Sequence, residues 1–252
     1  MRLIWTYDSK GFLHDSHKDR RTILLNYYMH SIETAKKFGY YTIMYCDLVH
    51  MDLFKNLVDE IHILENYENS PLWDSFKFKA LEDQEDDNYC LIDGDVILHA
   101  KLPELDTDVI FDSWEVLNWK REYKNTIDKL TKLNIADHIK EWNYKQIPIM
   151  CCGILNIKTK INRLIYINNW KVFNNFVKEN IEQIDTDYAT AVGAQYLLTL
   201  ITKYNNFTYK NLCEQFGENG NYYKHHAGII KYKAPIVPTD RLIGKMQKKD
   251  IF

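Results

Sequence analysis

The chain has 252 residues, 46% hydrophobic and 14% aromatic, with a formal net charge of −3. That content suffices for one large α/β domain with a substantial core and excludes a disordered chain. The slight acidity argues against a general nucleic-acid binder, whose affinity for phosphates needs a basic surface.

The elements follow in chain order. Leu3 to Thr6 reads as a first strand ending at Tyr7-Asp8, with a polar loop through Arg21 behind it. Ile23 to Phe38 has helical periodicity and stops at Gly39, a C-cap signal. Tyr41 to Tyr45 is a second strand with Asp47 just beyond its end, Leu53 to Val58 a short helix, and Glu60 to Leu64 a third strand. Trp73 to Glu85 is predicted helical and leads into the apolar run Tyr89 to Leu98. Val109 to Phe111 is a further strand, Trp114 to Tyr144 one or two helices, and Ile147 to Ile157 returns to strand character. Ile161 to Asn180 and Ala189 to Tyr204 are helical, and the last fifty residues are loop-rich with a Lys-rich tail. This alternation predicts a single Rossmann-like α/β domain, a mainly parallel sheet flanked by helices, with the ligand-facing loops on one edge. No linker or internal repeat divides it.

Five cysteines without a C-x-x-C pair fit a reduced setting better than a disulfide framework. The apolar start is too short for a signal peptide and nothing approaches a membrane span, so the expected location is the cytoplasm.

The run Tyr89 to Leu98 is interrupted by Asp93 and Asp95. Asp-x-Asp occurs three times, also at Asp106/Asp108 and Asp185/Asp187, but only the first lies between two strand-like runs. Two carboxylates at a strand end repel each other, and a hard divalent cation is their natural third party. A second segment, His225-His226-Ala227-Gly228-Ile229-Ile230-Lys231, offers an imidazole, a glycine that lets the backbone approach an anion, and a cation three residues later. Together these groups suit a divalent metal and a diphosphate.

On these two motifs the chain resembles the GT-A glycosyltransferases, in particular the glycogenin-like and bacterial capsule or lipopolysaccharide sugar-transfer enzymes. In that group an Asp-x-Asp follows a strand, and the glycogenin-like branch carries H-x-x-G-x-x-K near its C-terminus. Thr6, Tyr7 and Asp8 stand where the family's first strand meets the nucleobase. Lys77, sixteen positions before Asp93, matches a family lysine on the preceding helix, with Lys79 as its alternative. Cys152-Gly153-Ile154-Leu155-Asn156 resembles the strand beside donor sugar and acceptor. Gln195 resembles the glutamine of a family acid-glutamine pair, but Ala194 stands in place of the acid, and Asp185 or Asp187 is the expected substitute.

The resemblance implies a metal-dependent transferase moving a sugar from a nucleotide sugar, a UDP-sugar, to a glycan or protein hydroxyl acceptor, with retention. Asp93, Asp95 and His225 would hold Mn²⁺ or Mg²⁺. Thr6, Tyr7, Asp8, Lys77, Lys79, Gly153, Gly228 and Lys231 would bind the donor, with Tyr7 stacking on the base. Lys231, Gln195, Asp185 and Asp187 would serve the chemistry. Residues 1–100 form the expected nucleotide-binding half, 101–231 the sugar and acceptor half, and 232–252 a basic tail that is a candidate for peripheral membrane contact.

Blander readings stand beside these. Strand-end aspartates and turn histidines are often only solvated, lysines on a helix face usually are, and Asp185 and Asp187 sit where a helix cap belongs. Trp114 is better placed for core packing than for ligand contact. A catalytically inactive sugar-nucleotide or glycan-binding module would keep the same fold. A haloacid-dehalogenase-like phosphatase needs Gly-Thr after its aspartates, where this chain has Val96-Ile97, and a nucleotidyltransferase needs a Gly-rich loop where Asp8 to Arg21 has only Gly11.

Overall fold

The computed structural model describes residues 1–8, 18–115, 121–143, 148–216 and 222–225. In chain order the elements are β1 (Arg2–Tyr7), α1 (Lys18–Lys37), β2 (Tyr41–Cys46), α2 (Met51–Phe54), β3 (Glu60–Ile63), α3 (Ser75–Glu82), β4 (Tyr89–Ile92), β5 (Val96–Leu98) and β6 (Val109–Phe111). They continue with β7 (Trp114–Glu115), α4 (Arg121–Lys132), β8 (Ile149–Met150), β9 (Ile154–Ile157), α5 (Lys160–Glu179), α6 (Thr186–Ala191), α7 (Leu197–Tyr204), β10 (Tyr209–Asn211), α8 (Leu212–Phe216) and β11 (Tyr223–His225). Between α6 and α7 the segment Val192–Tyr196 is π-helical.

Seven strands form the central sheet in the order β10-β6-β9-β4-β1-β2-β3. Every neighbouring pair is parallel except those of β9, which runs antiparallel to both β4 and β6. The sheet is therefore mainly parallel, as the alternation predicts, and it draws strands from both sides of residue 100. Its faces follow the two-residue period of a strand. Leu3, Trp5 and Tyr7 of β1 pack into one core layer, whereas Ile4 packs into the other. Tyr89 and Leu91 of β4 likewise separate from Cys90 and Ile92.

Helix α5 shows why the larger layer is stable. Thr159 caps it by accepting from the Asn162 amide at 3.1 Å, and Tyr166, Ile167, Trp170, Phe173 and Val177 recur at helical spacing and are all buried. Gly39 closes α1 at φ +77°, a left-handed conformation that favours glycine.

From β1 the chain winds outward to β2 and β3 on one side, then returns to place β4 on the other. Strand order thus reverses between β1 and β4, and open α/β sheets bind ligands outside the carboxyl ends at such a point. Four strands end there on an apolar residue followed by aspartate: Tyr7-Asp8, Cys46-Asp47, Ile92-Asp93 and Phe111-Asp112. Because β9 is antiparallel, its beginning, with Cys152 and Gly153, faces the same edge.

Three expected elements are divided differently. The run Tyr89 to Leu98 breaks at Gly94, where the Val96 amide closes a turn on the Asp93 carbonyl at 3.1 Å, and β5 leaves the sheet to pair with β11. The stretch from Trp114 opens with β7, which pairs with β8, before α4 begins. The run Ile147 to Ile157 splits into β8 and β9.

Candidate active site

Strand β11 is the element that sequence periodicity did not reveal, and it positions the site. It pairs antiparallel with β5, with Tyr223 opposite Leu98 and His225 opposite Val96. His225 is thereby set beside Asp95, and its Nε2 lies 3.3 Å from Asp95 Oδ1. Residues two apart on a strand share a face, so Tyr223 and His225 reach the same group. That group is Asp112, at the end of β6: Tyr223 donates its hydroxyl to Oδ1 at 2.5 Å, and His225 donates Nδ1–H to Oδ2 at 2.5 Å.

Asp112 is almost wholly buried. Burial alone would raise its carboxyl, but the hydrogen bonds from His225 and Tyr223 outweigh this and hold it below the usual carboxylate range. An ionised Asp112 can only accept, which makes Nδ1 the donor and leaves Nε2 to face Asp95. Burial would lower the imidazole, yet Asp112 and Asp95 together raise it well above its ordinary value. The two carboxylates on either side thus favour the protonated imidazole.

The nearest ligand atoms of Asp93, Asp95 and His225 lie within 4.8 Å of one another. Two carboxylate oxygens and an imidazole nitrogen whose other nitrogen is bonded to a carboxylate are a donor set that fits Mn²⁺ or Mg²⁺. Asp112, Cys151 and His225 form a second close group. Burial pushes the Cys151 thiol up to about 11, so this second group is the poorer ligand set for a hard cation.

Glycines make this convergence sterically feasible. A Cβ on Gly153 would lie 2.5 Å from His225 Cε1 and 2.9 Å from Asp112 Oδ2. A Cβ on Gly94 would fall 2.2 Å from the Tyr28 ring, whose hydroxyl donates to the Thr6 carbonyl at 2.8 Å. Tyr28 thus ties the Asp-Gly-Asp turn to the end of β1. The backbone is also fixed from β9, since the Asp93 amide donates to the Gly153 carbonyl at 2.8 Å.

Lys77 belongs to this edge. Its Nζ sits 2.5 Å from Asp93 Oδ1, and although burial would lower its pKa, Asp93 raises it above the usual lysine range. Asp93 itself is raised, first by burial and then by Asp95, with Lys77 opposing. Lys79 is taken up instead by Asp83 and Glu82 on its own side of α3. The residue before α3, Asp74, is buried with neither carboxyl oxygen hydrogen-bonded to another of the described residues. Burial first, then Asp8 and Asp93, against the pull of Lys77, push it up to about 8.

Gln195 lies in the π-helical segment, a local geometry frequent at functional sites. Its Nε2 is 4.0 Å from Cys151 Sγ, and its Oε1 accepts from the Tyr123 hydroxyl at 3.3 Å. Ala194 beside it presents a backbone carbonyl to Cys152 and Tyr166. Asp185 and Asp187 are exposed, and Asp185 caps α6 by accepting from the Asp187 and Tyr188 amides. They do not join the cluster around Asp93.

Asp8 is buried near Asp74, and Thr6 offers its carbonyl to Tyr28. The expected base-stacking role of Tyr7 meets a correction. Its ring is fully buried, with Tyr28, His50 and Phe54 centroids at 5.3, 4.8 and 5.6 Å. A β1 residue pointing into the core layer has no face to offer a base. Trp114 packs on Phe111 and Tyr209. Gly228, Lys231 and the tail 232–252 lie outside the described residues.

Asp112 was missed in the sequence, although its signal is the same as that of Asp93: an aspartate directly after a short apolar strand. A cavity of about 780 Å³ opens at the opposite edge, lined in part by Asp87, Asp106 and Lys158. Of its acids, Asp87 pairs with Arg163 and Asp106 with Lys158. Among the described residues no helix is long and apolar enough to cross a membrane.

No family model matches the sequence, and no curated protein matches it. Among solved structures the chain is similar to galactosyltransferase LgtC in complex with donor and acceptor sugar analogs, at 14% identity over 77% of this chain and 70% of that one, TM-score 0.41. It is similar to mouse xyloside xylosyltransferase 1 at 10% identity over 84% and 85%, TM-score 0.47. It is similar to the glycosyltransferase GlyE of Streptococcus pneumoniae TIGR4 at 9% identity over 85% of this chain and 46% of that one, TM-score 0.42.

Proposed function

We propose that the chain is a metal-dependent glycosyltransferase that moves a sugar from a UDP-sugar to a glycan or other hydroxyl acceptor. The observation that carries this is the convergence of Asp93, Asp95 and His225 at the β1/β4 reversal, with Asp112 fixing the imidazole from behind. Asp95 and His225 would ligate Mn²⁺ or Mg²⁺, with Asp93 joining directly or through water. Bound there, a divalent ion supplies neutralisation of the charge on a departing nucleoside diphosphate, worth several kcal/mol.

The chain's own groups divide the remaining tasks. Lys77, held at Asp93, adds fixed positive charge where a diphosphate would lie. Gly228 and Lys231, by resemblance, close on the same diphosphate. Thr6 and Asp8, at the end of β1, border the nucleoside side, and Gln195 borders the sugar and acceptor side beside Cys151. Retention is proposed on the H-x-x-G-x-x-K segment. The capping role of Asp185 and the exposure of Asp187 agree with it, since neither stands as a base near the ligands.

Turnover of a UDP-sugar should be abolished by EDTA, restored by Mn²⁺, and absent in Asp95→Ala. Chelator-insensitive turnover in that variant would sink the reading. Lys231→Ala should lower kcat more than it weakens donor binding, because charge builds in the transition state. Proton NMR of the first-formed product checks retention, an anomeric configuration opposite to the donor's being the contrary result. Measurable Mn²⁺-dependent binding without turnover on any hydroxyl acceptor would favour the inactive binding module.

A further inference from the structure

We propose that Asp74 is the carboxylate that holds the hydroxyls of the transferred sugar. This rests on the donor being a nucleotide sugar and goes beyond it by assigning the sugar's anchor. Asp74 precedes α3 without a side-chain cap bond, and both of its oxygens are buried with no hydrogen bond to another residue among those described. Leaving such a group unsatisfied costs stability, so a fold that keeps it there keeps it for a partner that arrives later.

Its surroundings identify that partner by elimination. Asp74 lies within electrostatic reach of Lys77, Asp93 and Asp8, and of Cys152 and Tyr166. Both Cys152 and Tyr166 bond the Ala194 carbonyl, beside Gln195, so the groups around Asp74 reach from the metal-binding turn to the π-helical segment. A diphosphate offers acceptors only and leaves the carboxyl oxygens of Asp74 without a donor. A uracil offers a single N–H. Sugar hydroxyls both donate and accept, so an adjacent pair of them serves the Asp74 carboxyl in either protonation state. Asp185 and Asp187 are exposed and cannot fill this place.

The test is calorimetry with Mn²⁺ on wild type, Asp74→Asn and Asp74→Ala, titrating UDP and then UDP-glucose, UDP-galactose and UDP-xylose. The wild type should bind at least one sugar nucleotide more tightly than UDP. In both variants UDP affinity should stay within about twofold while that gain falls roughly tenfold or more, Asn less than Ala. Thermal midpoints of metal-free Asp74→Asn should equal or exceed that of wild type, because an unsatisfied buried carboxylate is removed. A sugar gain that survives in Asp74→Ala overturns the assignment, as does a parallel loss of UDP affinity, which would place Asp74 at the ribose or diphosphate. A fall in midpoint for Asp74→Asn would make it a structural residue instead. A wild type that binds UDP but gains nothing from any of the three sugars also overturns it, whereas failure to bind UDP at all strikes the underlying transferase reading.

Discussion

The two edges of the central sheet treat their acids in opposite ways. At the amino edge five acids each pair with a base: Asp86 with Arg2, Glu85 with Lys160, Asp87 with Arg163, Asp106 with Lys158 and Asp59 with Lys36. At the carboxyl edge Asp8, Asp74, Asp93, Asp95 and Asp112 gather around two described cations, Lys77 and His225. The amino edge is built for the fold. The carboxyl edge buries more carboxyl groups than described bases, which costs stability, and under the proposed function a metal and hydroxyl donors would meet them. Breaking a residue at one edge should therefore cost stability, and at the other, ligand binding.

The largest effect on the amino side is expected from Arg163. Its guanidinium is buried and donates to the carbonyls of Ile157, Lys158 and Gln84 as well as to Asp87. Arg163→Ala should destabilise by about 3–5 kcal/mol in urea unfolding, and a loss well under 1 kcal/mol would contradict this view of the edge. On the carboxyl side Gly153→Ala should cost about 1–3 kcal/mol through overpacking and also displace His225, so its Mn²⁺ affinity should fall in the same protein. Retained affinity would show that His225 is not a ligand. Asp112→Asn leaves the shape unchanged but loses the carboxylate that orients the imidazole. Its Mn²⁺ affinity should drop roughly 10–100-fold, and stability should fall by about 1–3 kcal/mol, because Asn offers one acceptor oxygen to two buried donors.

A smaller effect concerns pH. Asp74 is raised from 3.8 to about 8 by burial, so across that window the folded state holds a proton that the unfolded chain has released. The wild type should therefore lose stability as pH rises through that window, and Asp74→Asn should lose less. Parallel pH dependence of the two midpoints in EDTA would refute it.

What could be read from the sequence follows from what is local. Apolar runs, the Gly39 cap and the aspartates at strand ends are local signals, so the α/β alternation and the placement of Asp93 and Asp95 at the end of a strand were legible. Registers between distant segments were not. The pairing of β11 with β5 sets His225 opposite Val96 across more than a hundred residues, and a three-residue strand has too little periodicity to announce itself. Asp112 was overlooked because its role depends on that pairing. Tyr7 was assigned to the ligand because its strand end faces the site, while its side chain obeys the alternation of β1 and enters the core. Asp74 has no motif at all. Its significance is the lack of a hydrogen bond to another residue among those described, visible only once its surroundings are in place.

The most direct test is calorimetry of UDP binding to metal-free protein, with and without Mn²⁺, in wild type and Asp95→Ala. The expected result is Mn²⁺-dependent binding of UDP, tighter than that of GDP, in wild type, and none in Asp95→Ala, whose metal-free stability is equal or higher. Metal-independent UDP binding that persists in Asp95→Ala, or a variant that unfolds instead, would contradict the view that the carboxyl edge is built for a metal and a nucleotide sugar.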